Sequence, residues 1–582
     1  MRPMSTVIHV ALSCCACLML ASCATTYRQI TVEEYADRMR AGWVGKMCGV
    51  GWGGPTEFRA QGVTLPAHAV PPWKPDLVNQ FDQDDLYVEM TFLETLEQYG
   101  FDVPITRAGI DFANSRYPLW HANRAGRENL RGGVAPPWSG HPRFNGHTDD
   151  IDYQIESDFS GLISPGLPQA AIDLGRTFGA IMNYGDGIYA GQFVGGMYAE
   201  AFFEKDRERI VEAGLRCIPQ ESRYHRCIAD VLRWYREDPR DWQRTWWRID
   251  STYRCDPAAR PTSCTPLTLP FDIDVWINGA YAVMGLLYGH GDPDSTIIIA
   301  MRGGQDSDCN PATAAGVLFT TMGYAALPDR FTRALVDTSH FSFTSYTMPH
   351  LADACLALAR ANVVRSGGRI EKSDTSKERF VIPVRAPKPD AFVPSTSPGP
   401  VPPEVMYGPA DMARIRERSV PVEAVITAWE TAGPYRHAGS NGKQLFDLPF
   451  APESGSDTVR WAPVSAMRNG ALPRSVELGQ LSPGDDQVMY LRTRFWSDTT
   501  AAAILWIGSD DGVKVWFNGM LVHANNIARG FAVDQDAAGV QVVRGWNTCL
   551  MKVTQGNGGW EAAASLADAQ GFPLKGVHLN GR

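Results

Sequence analysis

The run "APKPDAFVPSTSPGPVPP", residues 386–403, divides the chain. Proline fixes φ and lacks an N–H, so a segment this rich in it forms neither helix interior nor central strand. On its N-terminal side apolar residues recur at helical spacing, as in Leu86, Met90 and Leu93, and this texture persists from about Glu33 to Ala361. On its C-terminal side "AAAILWIGSDDGVKVWFNGMLVH" alternates short β-rich runs with Asp-Asp-Gly and Asn518-Gly519 turns, and "GVQVVRGWNTCLMKV" repeats the pattern. The sequence therefore predicts a multidomain chain: an all-α domain over residues 30–370, a proline-rich linker over 371–415 and an antiparallel β-sandwich over 416–582. The 582-residue length agrees, because single hydrophobic cores stop growing near about 250–300 residues.

A net charge of -10 argues against general nucleic-acid binding. Residues 1–23 read as a targeting segment: Arg2, an apolar run from Val7 to Leu20, then "LASC" ending on Cys23. That ending resembles a bacterial lipobox, which implies a lipid on Cys23 and attachment to a membrane surface without crossing it. Simple secretion is the alternative. Four of the 12 cysteines lie in this segment. Outside the cytosol, Cys217 with Cys227 and Cys255 with Cys264 are close enough in sequence to pair. Cys48 and Cys309 sit in glycine-rich motifs and are expected to pack as small buried residues.

Three acidic motifs carry the chemistry. In "MRGGQDSDCNPATAAG", residues 301–316, Asp306 and Asp308 precede a small-residue helix whose first turn begins at Pro311 with Asn310 as its cap. In "NQFDQDDLYVEM", Asp84 and Asp85 open another helix. Neighbouring carboxylates repel unless a cation lies between them, and two such pairs brought together supply hard oxygen ligands for Mg²⁺, Mn²⁺ or Ca²⁺. Taken singly, each pair equally complements a helix N-terminus. The third motif, "GKMCGVGWGGPTEF", uses glycines to let backbones approach and leaves Glu57 beyond them.

In this order the three motifs resemble the ADP-ribosylglycohydrolase family over roughly Glu33 to Arg330. The resemblance implies an all-helical hydrolase fold with a metal centre at the mouth of a cleft. Matched position by position, Glu57 takes the place of the family glutamate, Asp84 and Asp85 the first metal-binding pair, and Asp306 and Asp308 the second. Val50 stands where the family has aspartate, Gln83 and Leu86 replace two threonines, Cys309 replaces a third, and Gln305 is inserted. One ion, with Gln83 or Asn310 assisting, and two ions are both compatible with that set. Mg²⁺ is the expected metal.

Between the motifs, "NGHTDDIDYQIESDFSGLISPG" reads as a helix with Ile151, Ile155, Phe159 and Leu162 on one face and Asp149, Asp152 and Glu156 on the other. An acidic face of this kind is ordinarily solvated. Asp158 falls on the apolar side, as a helix-end or a site residue. Glycosidic cleavage commonly uses a carboxyl acid and a carboxylate base, which makes Asp150, Asp152 and Glu156, with Glu57, the catalytic candidates. "MNYGDGIYAG" breaks the helical period and offers Asn183, Tyr184 and Asp186, while Asn278 is a further candidate for substrate contact. The tryptophans of "WYREDPRDWQRTWW" either stack on sugars or fill the core. The sandwich resembles jelly-roll-like modules of secreted carbohydrate-active enzymes. Its Asp510, Asp511 and Asn518 bind Ca²⁺ or make turns, and Trp506, Trp516, Trp546 and Trp560 bind sugar or pack.

The combined expectation is an exported, metal-assisted glycoside hydrolase with a carbohydrate-binding-like accessory module, acting on a glycan, furanosides included. It belongs at a bacterial cell envelope, lipid-anchored or secreted. The alternatives are an ADP-ribosyl hydrolase that releases ADP-ribose from conjugates, and a non-catalytic surface glycan-binding protein.

Overall fold

The computed structural model describes residues 26–254, 271–372, 377–415, 424–455, 458–466, 475–568 and 573–579. The leading segment with Cys23, and the pair Cys255 and Cys264, lie outside the described residues. Among those described, no helix is long and apolar enough to cross a membrane.

The first half is helical, as expected. Strand β1 (Tyr27–Thr31) runs into α1 (Val32–Gly53), where the Thr31 hydroxyl accepts a hydrogen bond from Glu34 N at 3.1 Å and Glu33 and Glu34 occupy the first turn. A threonine cap and early acids both satisfy the positive end of the helix. α1 lies buried against the Cys309–Met322 helix. The approach is close enough that a Cβ on Gly49 would stand 2.4 Å from Ala312 Cα, and one on Gly45 2.5 Å from the Ala315 carbonyl oxygen. The glycine spacing of one motif and the small residues of the other are thus a single packing surface. Helices α2 (Asp84–Tyr99), α3 (Ile105–Ala113) and α4 (His121–Arg131) follow, then two short turns, α5 (Asp152–Ile155) and α6 (Asp158–Leu162). Central buried helices at Asp186–Ala201 and Val275–Tyr288 complete the surroundings of the site.

The helical unit ends later than residue 370. After the Met348–Arg365 helix, β2 (Arg369–Lys372) and β3 (Glu378–Pro383) form an antiparallel sheet with β1, in the order β1-β3-β2. The proline-rich segment then lies along the helical surface as a strap. Asp390 pairs with Arg176, Ser395 donates to Asp149 at 2.7 Å, and Ala135 N donates to the Val405 carbonyl at 2.8 Å. An extended chain unable to pair its own backbone is well suited to such surface docking.

The remainder is antiparallel β structure. One sheet has the order β10-β9-β12-β7-β4-β5 with β14 on β7, and the other has β11-β8-β13-β6. Their ranges are β4 Ala428–Tyr435, β5 Ala462–Ser465, β6 Val476–Glu477, β7 Gln487–Ser497, β8 Ala501–Ser509, β9 Val513–Phe517, β10 Met520–Asn525, β11 Asp536–Val542, β12 Gly545–Gln555, β13 Glu561–Ala567 and β14 Val577–His578. Alternating residues such as Leu491, Leu505, Val515 and Met551 fill the space between the sheets. Asn518 has φ 49° and Gly519 φ 81°, the backbone expected of the β9–β10 hairpin turn.

Two arginines join the domains. Arg116 pairs with Asp534 at 2.8 Å and lies over the Trp506 ring, while Arg529 donates to Ser342 at 3.0 Å and to Asp536. Cys217 and Cys227 are not bridged: both are buried thiols, donating to the carbonyls of Ala213 and Trp276 respectively. They serve separate helix contacts despite their spacing. In the aromatic segment Trp234 and Trp246 are buried and Trp247 is exposed, so packing accounts for two of these rings.

Candidate functional site

The end of α1 is fixed to the Asp306 loop by three contacts. Phe58 N donates to the Gln305 carbonyl at 2.9 Å, Gln305 N donates to the Ala60 carbonyl at 2.8 Å, and the Thr56 and Ser307 hydroxyls meet at 2.8 Å. The inserted Gln305 adopts φ 55°, a left-handed turn that aims the following acids back toward α1. The Cys309–Met322 helix begins at Cys309 with Asp308 as its cap residue, rather than at Pro311 with Asn310. Asn310 instead donates to Asn278 Oδ1 at 2.9 Å. Asn278 donates to the Asp272 and Asp274 carbonyls, so it is a clamp behind the loop.

These constraints place oxygens of Glu57, Asp306 and Asp308 within 4.8 Å of one another. Asp84, at the first turn of α2, lines the same cavity of about 230 Å³, together with Asp82, Gln83, Tyr87, Trp120, His121 and Asp152. The fit to a cation is marked by an unsatisfied oxygen: Asp306 Oδ1 is buried and accepts no hydrogen bond. Burial, with the charges of Glu57 and Asp85, pushes Asp306 up to about 7, and burial with Asp306 raises Asp308. Glu57 is exposed at the mouth, where partial desolvation and then Asp308 and Asp84 raise it, tempered by solvent screening. Four carboxyl groups that resist joint ionisation form a site whose repulsion a divalent ion would relieve. Cys309 also lies near Asp85 and Asp308, but burial and the surrounding acids keep its thiol protonated, which makes it a poor ligand.

Behind the cavity sits a residue that sequence reasoning missed. Lys46 is fully buried, 2.6 Å from Glu89, 2.7 Å from Asp158 and 3.6 Å from Asp85. Desolvation opposes its charge, but the carboxylates of Asp158, Glu89 and Asp85 hold it protonated. Asp158 is thereby explained as the lysine's partner, also bound by the Tyr198 hydroxyl at 3.0 Å. Asp85 lies on the lysine's side of the wall, 3.6 Å from Nζ, while Glu57, Asp84, Asp306 and Asp308 line the cavity itself.

The acidic stretch 149–158 departs from expectation: it is two short helices, and its acids are buried rather than solvated. Asp152 accepts Ala122 N and Asn123 N, each at 3.1 Å, and so anchors the start of α4. Burial and Asp150 push it up to about 8, against the pull of those two amides. Glu156 accepts the Asn123 amide at 2.7 Å away from the cavity wall, and Asp150 binds His147 Nδ1 at 3.0 Å. Of the four catalytic candidates, Glu57 and Asp152 line the cavity.

The proposed substrate contacts are mostly internal. Asn183 donates to the Thr148 and Asp150 carbonyls and accepts Tyr153 N; Asp186 accepts Trp276 Nε1 at 2.7 Å and Tyr224 N at 3.2 Å. Both are buried and neither lines the acidic cavity. Tyr184 touches the strap through Gly399 N. His121 and His147 were not singled out in the sequence, although His147 precedes Asp150 by three residues within the quoted acidic stretch. In the sandwich, Asp511 accepts Arg529 N and Gly556 N, and Asn518 ties the hairpin to Thr548 N, so both make turns. Trp560 is core, whereas Trp496 and Trp546 are exposed, paired across β7 and β12 with centroids 5.7 Å apart.

A helical domain in which helix starts converge on a cavity of paired carboxylates defines a class of acidic-cleft helical proteins. The sequence pattern of the ADP-ribosylglycohydrolase family matches residues 31–364, more than half of the chain, and the chain belongs to that family. Membership supports a hydrolase, and the family is typically metal-dependent and acts on small ADP-ribosyl-type substrates. No curated protein matches. Among solved structures, an ADP-ribosylglycohydrolase-related protein complex is similar at 18% identity and TM-score 0.36, over 57% of this chain and 99% of that one. A β-glucosidase from Kluyveromyces marxianus in complex with glucose matches at 10% identity and TM-score 0.17, over 25% of this chain and 18% of that one. The PA14 domain of the MpAFP antifreeze protein matches at 13% identity and TM-score 0.18, over 27% of this chain and 89% of that one. Family membership rests on the sequence match.

Proposed function

We propose that the chain is an exported, metal-assisted glycoside hydrolase that cleaves a glycan, furanosides among its substrates. The observation that carries this reading is the convergence of Glu57, Asp84, Asp306 and Asp308 on one cavity, with the buried Asp306 Oδ1 left unsatisfied. These four residues would hold one divalent ion, Mg²⁺ by its hard oxygen donors. The ion supplies Lewis-acid ordering of sugar hydroxyls. The chain's own residues do the rest. Trp120, half exposed at the mouth, offers a face for a sugar ring. Glu57, at the cavity edge, would orient water, and Asp152, which holds α4 through its first amides, borders the same space. The exposed Trp496 and Trp546 pair would let the sandwich keep the enzyme near a polysaccharide.

Export and lipid attachment rest on residues 1–23 alone. A second reading, an ADP-ribosyl hydrolase, draws on the family's substrate class.

The test is product release from ADP-ribose conjugates and from pentofuranosyl and pyranosyl glycans, with and without chelator, by the chain and its Asp306→Asn variant. Sugar release that needs metal and fails in the variant supports the proposal. Release of ADP-ribose selects the second reading. Glycan affinity without turnover, unchanged in the variant, selects a binding protein.

A further inference from the structure

Beside the oxygen-only cavity stands a group of different chemistry. His121, His147 and Asp150 each present a ligand atom within 4.8 Å of the others. His147 Nδ1 stands 3.0 Å and His121 Nδ1 3.7 Å from the same oxygen, Asp150 Oδ2. Ligands about 2.1 Å from a shared ion stand about 3.0 Å apart at octahedral and about 3.4 Å at tetrahedral angles, so these distances need adjust by only a few tenths of an ångström. We propose that His121, His147 and Asp150 form a second metal site, for a borderline divalent ion such as Zn²⁺, separate from the carboxylate site.

Each ligand is held from behind by a buried polar residue. Asn145 accepts His147 N at 2.9 Å and donates to the Ala122 carbonyl at 3.0 Å. Asn183 donates to the Asp150 carbonyl at 2.8 Å, and Asp152 grips the amides that follow His121. The His121 ring stacks on Phe271, and its backbone takes φ 42°, a conformation that non-glycine residues adopt at a cost. These contacts fix the backbone from which the three side chains project. Two nitrogens and one carboxylate select zinc or a similar ion over magnesium, and three protein ligands leave a position open. Of the three, His121 also lines the acidic cavity, so the site adjoins the proposed substrate space.

The test loads the chelator-stripped full chain with one equivalent of zinc. X-ray absorption of the unaltered protein is expected to show imidazole scattering from two histidines. Zinc affinity is expected to fall by about 100-fold or more in His121→Ala and in His147→Ala, the upper end of what outer-support losses cost, and to hold in Asp306→Asn. An oxygen-only shell, or zinc affinity unchanged by both histidine substitutions, overturns the proposal. The absorption measurement needs no variant, so a misfolded substitution leaves the proposal testable.

Discussion

Lys46 Nζ lies 2.7 Å from Asp158 Oδ2, two side chains 112 residues apart in sequence and both without solvent exposure. The pair joins α1 to α6, and with Glu89 and Asp85 it forms a charge cluster immediately behind the acidic cavity. An ammonium in that position neutralises the wall of the cavity without entering it.

Lys46→Met removes the one cation that, among the described residues, pairs with the buried Asp85, Glu89 and Asp158, while keeping most of the volume. Uncompensated buried charge is costly, and destabilisation of about 3–5 kcal/mol is expected. Denaturant unfolding measures it. A loss under about 1 kcal/mol would mean that the cluster does not hold the domain in this way. Restoring balance with the further change Asp158→Asn should recover part of the loss, because the two residues share one network.

Gly49→Val tests the helix contact that delivers Glu57 to the site. A Cβ there meets Ala312 Cα at 2.4 Å, a backbone atom that no rotamer change can move aside. Overpacking of this kind costs about 1–3 kcal/mol. Since the same contact sets the Glu57–Asp308 spacing, divalent-ion affinity should fall with thermal stability. A variant of unchanged stability and ion affinity would show that the two helices are free to separate.

These two cases show how much was legible. The glycine series of α1, the acids at 84, 85, 306 and 308, and the change to β texture are local patterns, and each was readable because period and spacing survive in one dimension. Asp149, Asp152 and Glu156 read as an ordinarily solvated face because their partners, Ser395, the α4 amides and Asn123, are distant in sequence, whereas Asp158 was legible as out of place on the apolar side, and only its partner Lys46, 112 residues away, was not. Asn183 and Asp186 drew notice as a glycine-rich break, and the break is real, but their polar atoms turn inward to backbone and to Trp276. The proline-rich segment was correctly seen as neither helix nor central strand, while its docking to Asp149 and Tyr189 had no sequence signal. His121 and Lys46 are single residues without a pattern, and three-dimensional proximity alone identifies them.

Arg529 supports the junction of the two domains. It is buried, pairs with Asp536 at 2.5 Å and reaches Ser342 of the helical domain at 3.0 Å. Burial would raise the Asp536 carboxyl, but Arg529 and His523 hold it well below the usual carboxylate range. The resulting stability is present above about pH 4, the unfolded value, and is lost as pH falls toward the folded one. Arg529→Met should therefore destabilise by about 3–5 kcal/mol at pH 7 and shift the acid limb of the unfolding profile. Thermal melts across pH read both effects, and parallel wild-type and variant acid limbs would refute the assignment to Asp536.

The carboxylate cavity predicts a second pH dependence of opposite sign. Without an ion, burial followed by the charges of Glu57 and Asp85 pushes Asp306 up to about 7, against about 4 in an unfolded chain. The folded chain then binds more protons than the unfolded one between those values, so its stability falls as pH rises through that window. A divalent ion competes with the same protons, and its affinity rises over the same range. The melting temperature gained on adding Mg²⁺ or Mn²⁺ should accordingly be larger at about pH 8 than at about pH 5. Asp306→Asn should flatten that difference, because the asparagine carries no proton to displace and no charge to offer. An ion-induced shift independent of pH, or one retained in full by the variant, would place the cation elsewhere than beside Asp306.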